Sequence, residues 1–306
     1  MELSWLEDFL ALAEQRNFSR AAAARSVTQP AFSRRIQALE AWIGTKLVLR
    51  SPQRVALTAA GEHLREPAAA LLRELQQARR GARRAAGLEG AALSIAATHA
   101  LSFTFFPGWM RGLPPLQPAG RLNLVSDTMA ASERLLLAGD ADLLLCHHHE
   151  GAPNRLSPAG FASRAVGADL LLPVAAPDRA SGAAGRPRWT LAGPAARPVP
   201  LLAYSEASGL GRILDAARPG FPALPALETV FTSPLAAALQ TMARQGQGLA
   251  WLPRTMAAED LAAGRLVEAG GEGHHVAVEI RLFRPLRPLS AIAESFWAAS
   301  RPAGPG

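Results

Sequence analysis

Of 306 residues, one is cysteine (Cys146), one is lysine (Lys46) and one is tyrosine (Tyr204). A lone thiol excludes a disulfide framework and fits a reducing compartment. No apolar run approaches the roughly 20 residues that a bilayer-spanning helix needs. The opening MELSWLEDFLALAEQRN is amphipathic with early acids, unlike the uniformly apolar core of an export signal. These absences predict a soluble, cytoplasmic chain that meets no membrane. Also missing are a GxSxG elbow, a P-loop, an HExxH pair and a GxGxxG opening a βαβ unit, so neither catalysis nor a cofactor is expected. At this length two or three folding units are expected.

What is present is distributed unevenly. Residues 1–90 hold 14 Arg+Lys against 9 Asp+Glu, a net +5, whereas the remaining 216 residues hold 18 against 16, a net +2. Since Lys46 is the only lysine, 31 of the 32 basic residues are Arg. That compositional bias would spread Arg everywhere. The excess in the first third instead suggests a polyanion partner, because neutralised phosphates release counterions.

Residues 4–16 predict a first helix, with Ser4 and Glu7 as a capping-box pair and Leu3, Leu6, Leu10 and Ala13 on one face. Ser19 is expected to cap a short second helix, 20–25. The stretch VTQPAFSRRIQALEAWIG (27–44) then reads as a third. Thr28 is its N-cap, Pro30 lies in the first turn where a missing amide hydrogen is harmless, and Gly44 is the stop. Phe32, Ile36, Leu39 and Ile43 form the buried stripe. Gln29, Pro30, Ser33, Arg34 and Gln37 lie opposite it, with Arg35 at the edge, within reach only of a phosphate backbone. KLVLR, a Ser51–Arg54 turn and VALT complete a two-stranded wing with Arg50 and Arg54 near its tip. The pattern is a winged helix-turn-helix whose third helix enters a major groove of double-stranded DNA.

NFSRAAAARSVTQPAFSRRIQALEAWIGTKLVLRSPQRVALTAAG resembles the amino-terminal signature of the LysR-type transcriptional regulators. The resemblance implies DNA contacts from Gln29, Pro30, Ser33 and Arg34 on the recognition helix and from Arg50 and Arg54 on the wing, and Thr28, Arg35 and Gln37 on the same helix are counted as further DNA-binding candidates.

From Thr58 to about Arg84, the residues Leu64, Ala68, Leu71, Leu75, Ala78, Ala82 and Ala85 alternate spacings of four and three. That heptad seam points to a partner helix, the alternative being a helix lying on its own domain. Pro67 predicts a kink or a late start. In LysR regulators the corresponding helix pairs two subunits, which implies a homodimer, a palindromic operator and, through the effector domains, a homotetramer. Gly87-Leu88-Glu89-Gly90 reads as a hinge.

Beyond residue 91, short strands alternate with helices, a pattern that predicts parallel sheets covered on both faces. Strands are expected at 93–97, 121–126, 142–146, 170–175, 199–203, 249–252 and 276–283, and helices near 103–112, 129–138, 209–217, 234–244, 255–263 and 290–300. Residues 176–198, rich in Ala, Gly, Pro and Arg, read as a mobile loop. This half resembles the LysR effector domain, which is like a periplasmic binding protein: two α/β lobes joined by crossing strands around a cleft. The stretches ATHALSFTFFP, LLAYSEASGLGRIL and GQGLAWLP resemble a subgroup that includes hypochlorite-responsive regulators. The expected fold class is therefore α+β and multidomain. Its parts are a winged helix-turn-helix at 1–58, a linker helix at 59–86, a hinge at 87–90, effector lobe I at 91–162 and 268–300, and lobe II at 163–267.

In such a fold, ligands sit where strand ends meet helix amino termini. Thr98, His99 and Ser102 occupy the first such turn, Ser126 and Asp127 the second, and Tyr204, Ser205 and Ser208 a loop of lobe II. Thr232 and Ser233 cap a helix started by Pro234, the better reading of Ser233 being a simple cap. Apart from Ser233, these residues are the expected contacts of a small polar or carboxylate effector or an oxidant. The run Cys146-His147-His148-His149 stands out, yet strand alternation puts only Cys146 and His148 on one side. A metal wants three or four convergent ligands, which this run supplies only if His99, His274 or His275 joins it, so no metal site is assigned. Metal or thiol-redox sensing through Cys146 and His148 is kept as the alternative, and oxidation of Met110, Met129, Met242 or Met256 as a further one. A solute-binding protein would share the two lobes but not the DNA-reading head, and an architectural DNA binder would lack the lobes. The expected function is sequence-specific transcriptional regulation, with promoter DNA, an effector and a second copy of the chain as partners and RNA polymerase as a further candidate.

Overall fold

The computed structural model describes residues 2–50, 55–85, 92–115, 120–178, 185–191 and 198–300. The wing tip 51–54 with Arg54, the hinge 87–90 and parts of the 176–198 stretch lie outside them. The chain forms two compact units, Met1–Leu88 and Glu89–Gly306.

The first unit packs α1 (Leu3–Gln15), α2 (Phe18–Ala24) and α3 (Gln29–Ile43) around one core. Leu6, Phe9 and Leu12 of α1 meet Phe32, Ile36 and Leu39 of α3, and the small Ala21 and Ala22 let α2 approach closely. Phe18 packs edge-on to Phe32, with ring centroids 6.1 Å apart. Two expected caps are not formed. Ser4 lies inside α1 and donates to the Glu2 carboxylate, while Glu7 is drawn away to Arg25, so no capping box closes. The second helix is capped by Asn17, whose side chain accepts from the Arg20 amide at 3.0 Å, leaving Ser19 within the helix. The third helix follows expectation: Thr28 holds the N-cap position, Pro30 sits in the first turn, and Gly44 ends the helix at φ 85°, a left-handed conformation that favours glycine.

β1 (Val48–Arg50) and β2 (Val55–Leu57) pair antiparallel as the wing. Thr58 joins the wing to the long helix α4 (Ala59–Ala85), its hydroxyl donating to the Lys46 carbonyl and accepting from the Gly61 amide. At Gly61 the backbone of α4 comes so close to β1 that a Cβ would lie 2.2 Å from the Leu47 carbonyl oxygen. α4 runs unbroken through Pro67, so the expected late start does not occur; the ring removes only one backbone hydrogen bond.

The second unit is built on a mixed seven-stranded sheet and a two-stranded one. β3 (Ala92–Thr98) pairs parallel with β4 (Arg121–Asp127) and β5 (Leu143–His148). β11 (Val276–Pro285) and β6 (Phe161–Ala175) are long antiparallel neighbours, and β6 continues into pairing with β9 (Ala250–Pro253) and β10 (Val267–Glu268). β7 (Val199–Tyr204) and β8 (Leu227–Ser233) form the smaller, parallel sheet. The wholly parallel arrangement expected from βα alternation therefore holds only for β3 with β4 and β5 in one lobe and for β7 with β8 in the other; every pairing made by β6 or β11 is antiparallel. The antiparallel β6 and β11 are the strands that cross between the lobes.

Lobe I buries Leu93, Ile95, Leu143, Leu145 and Ile280 beneath α5 (His99–Thr104), α6 (Phe106–Arg111) and α11 (Ala291–Ala299), with α7 (Met129–Ala138) on the other face. Lobe II buries Leu171, Leu202, Leu239, Leu249 and Leu252 among α8 (Gly209–Ala217), α9 (Ala236–Arg244) and α10 (Arg254–Ala262). The single helix expected near 103–112 is two: α5 ends at Thr104 and α6 starts at Phe106, just before Pro107, which has no amide hydrogen to continue the ladder. The first half of β6 and the short strands β8 and β10 were not expected from the sequence.

Candidate functional site

Two surfaces bring functional side chains together. On α3, Thr28, Gln29, Pro30, Arg34 and Gln37 are exposed and Ser33 is partly exposed, while Phe32, Ile36 and Leu39 are wholly buried on the opposite side. Arg34 has no acidic partner among the described residues. Arg35 differs: its guanidinium lies 3.3 Å from the carboxylate of the fully buried Asp8, which also takes Arg25 at 2.9 Å. One acid in α1 therefore pins α2 and α3 and sets the angle at which the exposed face of α3 is presented. Glu40, at the far end of α3, is 5% exposed and accepts from the amides of Leu47 (3.0 Å) and Val48 (3.2 Å) and from Lys46. Burial pushes this carboxyl up, but the bonds from Lys46, Leu47 and Val48 outweigh it and hold the group below the usual glutamate range. The wing is thus fastened to the recognition helix, with Arg50 closing β1 opposite Val55.

Along α4 the heptad seam divides. Leu64 and Ala68, with Leu72 beside the seam, pack into the head's own core. Leu71 and Leu75, 55% and 48% exposed, and Ala78 and Ala82 leave an apolar stripe open on the rest of the helix.

In the second unit a cavity of 30 Å³ lies between the lobes, lined by Thr98, His99, Asp127, Met129, His147, Ser208 and Gly209 among others. At its rim Ser126 Oγ bridges His99 Nδ1 (3.0 Å) and Ser102 Oγ (2.8 Å). α8 opens at the cavity with no side chain capping its first turn. The lobes meet beside it: the Ala130 amide donates to the Ala207 carbonyl (3.2 Å), and Arg212 of α8 donates to both oxygens of the fully buried Glu133 of α7 (3.0 Å each). Ionic clamp, hydroxyls and uncapped helix start together suit a small polar or anionic ligand held between two rigid bodies.

Residues 3–62 match the model of the bacterial regulatory helix-turn-helix protein, lysR family, and residues 86–304 match that of the LysR substrate binding domain. The chain belongs to the LysR family. Among its relatives is the HTH-type transcriptional regulator YjiE of Escherichia coli K12, 31% identical over 98% of this chain and 94% of that protein. Solved structures similar to it include full-length HypT from Salmonella typhimurium, described as a hypochlorite-specific LysR-type transcriptional regulator (30% identity, TM-score 0.57, covering 98% of this chain and 97% of that one). DarR of Vibrio fischeri in complex with DNA is similar to the same degree (30% identity, TM-score 0.56, 98% of both chains). This LysR-family chain is accordingly a non-enzymatic, DNA-binding transcriptional regulator with a winged head, a linker helix and a two-lobed α/β effector domain. No helix among its described residues is long and apolar enough to cross a membrane.

Of the effector residues expected from the sequence, Thr98, His99, Asp127 and Ser208 line the cavity, and Ser102 and Ser126 are tied to its rim. Tyr204 is elsewhere: its hydroxyl donates to the Trp251 carbonyl inside lobe II, and burial pushes the phenol up. Thr232 is exposed on β8, outside the cavity lining. The Ser205 amide donates to the Ser233 carbonyl, and the Ser205 carbonyl accepts from the Ser208 amide, shaping the loop before α8. Ser233 accepts from the Leu235 amide, and the helix starts at Ala236, so Pro234 precedes it rather than opening it.

Cys146 is 1% exposed, and burial, with Glu133 adding to it, pushes its thiol up to about 12, leaving essentially no thiolate at neutral pH. Among the described residues no group of three His, Cys, Asp or Glu is placed to hold a metal ion. The sequence reading missed Asp8, Glu40, the Glu133–Arg212 pair and the role of His147, which lines the cavity 3.7 Å from Asp169. Only Gly209 gave a signal: its missing side chain lets α8 press against Met129.

Proposed function

We propose that this LysR-family regulator binds a palindromic operator as a homodimer joined through the open stripe of α4, and assembles further into a tetramer through its effector domains. In this reading Gln29, Pro30, Ser33 and Arg34 contact bases and nearby phosphates, Thr28 and Gln37 flank them, and Arg50 and Arg54 reach phosphates or the minor groove from the wing. Arg35 acts through Asp8 in setting the pitch of the helix. A small polar or carboxylate effector binds in the interlobe cavity, shifts the balance between lobe arrangements, and so changes the spacing of the heads and the bend of the DNA. It acts in the cytoplasm, and RNA polymerase receives the result. The domain limits expected from the sequence, with lobe I at 91–162 and 268–300 and lobe II at 163–267, fit this scheme.

The observation that carries the reading is the division of labour on α3: one side is wholly buried, and the other presents Arg34 with no acidic partner among the described residues. Footprinting the full chain on its own upstream region, with and without small carboxylates, tests it. Arg34→Ala should weaken operator binding by about 1–3 kcal/mol. Unchanged affinity and footprint would remove Arg34 from the interface. A second reading, in which an oxidant is the signal, is favoured by Met129, which lines the cavity at 5% exposure. Adding hypochlorite in the same footprint, with Met129→Leu as control, separates the two.

A further inference from the structure

Lobe II holds a cavity of its own, 60 Å³ in volume against 30 Å³ for the one between the lobes. Its inner wall is apolar: Leu202, Leu214 and Leu224 surround the rings of Phe221 and Trp251, which lie 5.7 Å apart and within 2° of parallel. The one hydroxyl in that wall, of Tyr204, already donates to the Trp251 carbonyl at 2.9 Å. An interior with no side-chain polar group left to satisfy suits hydrocarbon, because a polar group moved into it would lose its bonds to water. At about 10–15 Å³ for each water-sized group, 60 Å³ takes roughly four to six carbons.

The rim has the opposite character. Asp215 and Arg218, both exposed, are the charged residues that line the cavity. The helical conformation of α8 continues into Arg218 (φ −50°, ψ −41°), so the two stand three residues apart on one face, with Cβ atoms about 5–6 Å from each other. Opposite charges so placed can pair, yet neither side chain has an ion-pair or hydrogen-bond partner among the described residues. The neighbouring Arg212 is committed to Glu133 of the other lobe. An apolar pocket beneath one unpaired anion and one unpaired cation is complementary to a molecule that carries both charges next to a short branched hydrocarbon.

We infer that lobe II binds a free α-amino acid with a four-carbon aliphatic side chain, leucine or isoleucine, at a site separate from the interlobe cavity. The side chain fills the cavity against Phe221 and Trp251, the carboxylate takes the fork of Arg218, and the ammonium takes Asp215. Hydrophobic burial supplies most of the affinity, since charge pairs at an exposed rim contribute little each. The position gives the site a regulatory reach. Gly211, Leu214 and Asp215 share one face of α8, while Ser208 opens the same helix at the interlobe cavity and Arg212 ties it to Glu133. An amino acid in lobe II therefore bears on the helix that joins the two lobes.

The test is equilibrium dialysis of the full chain against labelled L-leucine, with unlabelled competitors. L-Alanine, which keeps both charges but lacks three side-chain carbons, should compete about 10- to 50-fold less well than leucine. L-Phenylalanine, whose ring exceeds the cavity, should also fall behind leucine. Isovalerate lacks the ammonium and isoamylamine the carboxylate, and each should compete roughly two- to fivefold less well. Asp215→Asn and Arg218→Gln, exposed positions whose fold is checked by circular dichroism, should each weaken leucine by the same roughly two- to fivefold. Leu214→Trp, which fills the cavity, should abolish binding. No binding of leucine, alanine competing as well as leucine, or leucine affinity unchanged in either charge variant overturns the inference, the last by placing leucine elsewhere, such as between the lobes.

Discussion

Glu40→Gln is the sharpest probe of how the head is assembled. In the native protein Glu40 Oε1 accepts two backbone amides, Leu47 at 3.0 Å and Val48 at 3.2 Å, from a site 5% exposed. A hydrogen bond to a charged acceptor contributes about 1.5–3 kcal/mol and a neutral one about 0.5–1.5, so replacing carboxylate by amide costs about 1 kcal/mol per bond. Lys46 is 73% exposed and adds little. The local loss is about 2 kcal/mol, or roughly a thirtyfold drop in protection of those amides. Hydrogen–deuterium exchange of the full chain, read on peptides covering Leu47 and Val48, measures it. The pH dependence has a fixed sign: because the folded carboxyl is held below its ordinary value, its contribution is present above the unfolded glutamate pKa of about 4.3 and is lost as pH falls through the lower folded value. Wild-type and variant should therefore differ at neutral pH and converge in acid. Equal protection at pH 7 would mean that apolar burial of Leu47 and Val48, not the carboxylate, fastens the wing.

Gly61→Ala places a methyl 2.2 Å from the Leu47 carbonyl and should destabilise the head by about 2–3 kcal/mol, seen as a lower first transition in a thermal scan. Leu75→Glu puts a charge on the open stripe of α4 and should shift the chain toward monomer in sedimentation velocity by at least about tenfold in dissociation constant; Ala68→Glu, at a fully buried position, should unfold the head instead. With its thiol pushed up to about 12, Cys146 should resist iodoacetamide at pH 8 in the native chain and react within minutes after denaturation, by intact-mass measurement.

The contrast between α3 and the interlobe cavity shows where sequence reasoning holds. Everything legible in the sequence was local. The four-three-four spacing of Phe32, Ile36, Leu39 and Ile43, the Pro30 start and the Gly44 stop define α3 within one segment, because helix periodicity and end conformations depend on neighbours in the chain. The same logic located α7 and α8 and the rim hydroxyls Ser102 and Ser126. It failed where two candidates competed for one local role, as with Asn17 and Ser19, and where a strand's partner was distant, as with β8 and the first half of β6.

What tertiary structure decided was the fate of the charged and polar groups. Asp8, Glu40 and Glu133 look like ordinary surface acids in the sequence, yet each is buried and satisfied by residues that reach it from another element. Strand alternation separated His147 from Cys146 and His148, but the fold alone buried it beside the interlobe cavity with its Nε2 3.7 Å from Asp169. Local periodicity fixes which segments are helices and strands. Desolvation and the pairing of charge depend on atoms far apart in the chain, so only the packed molecule determines them.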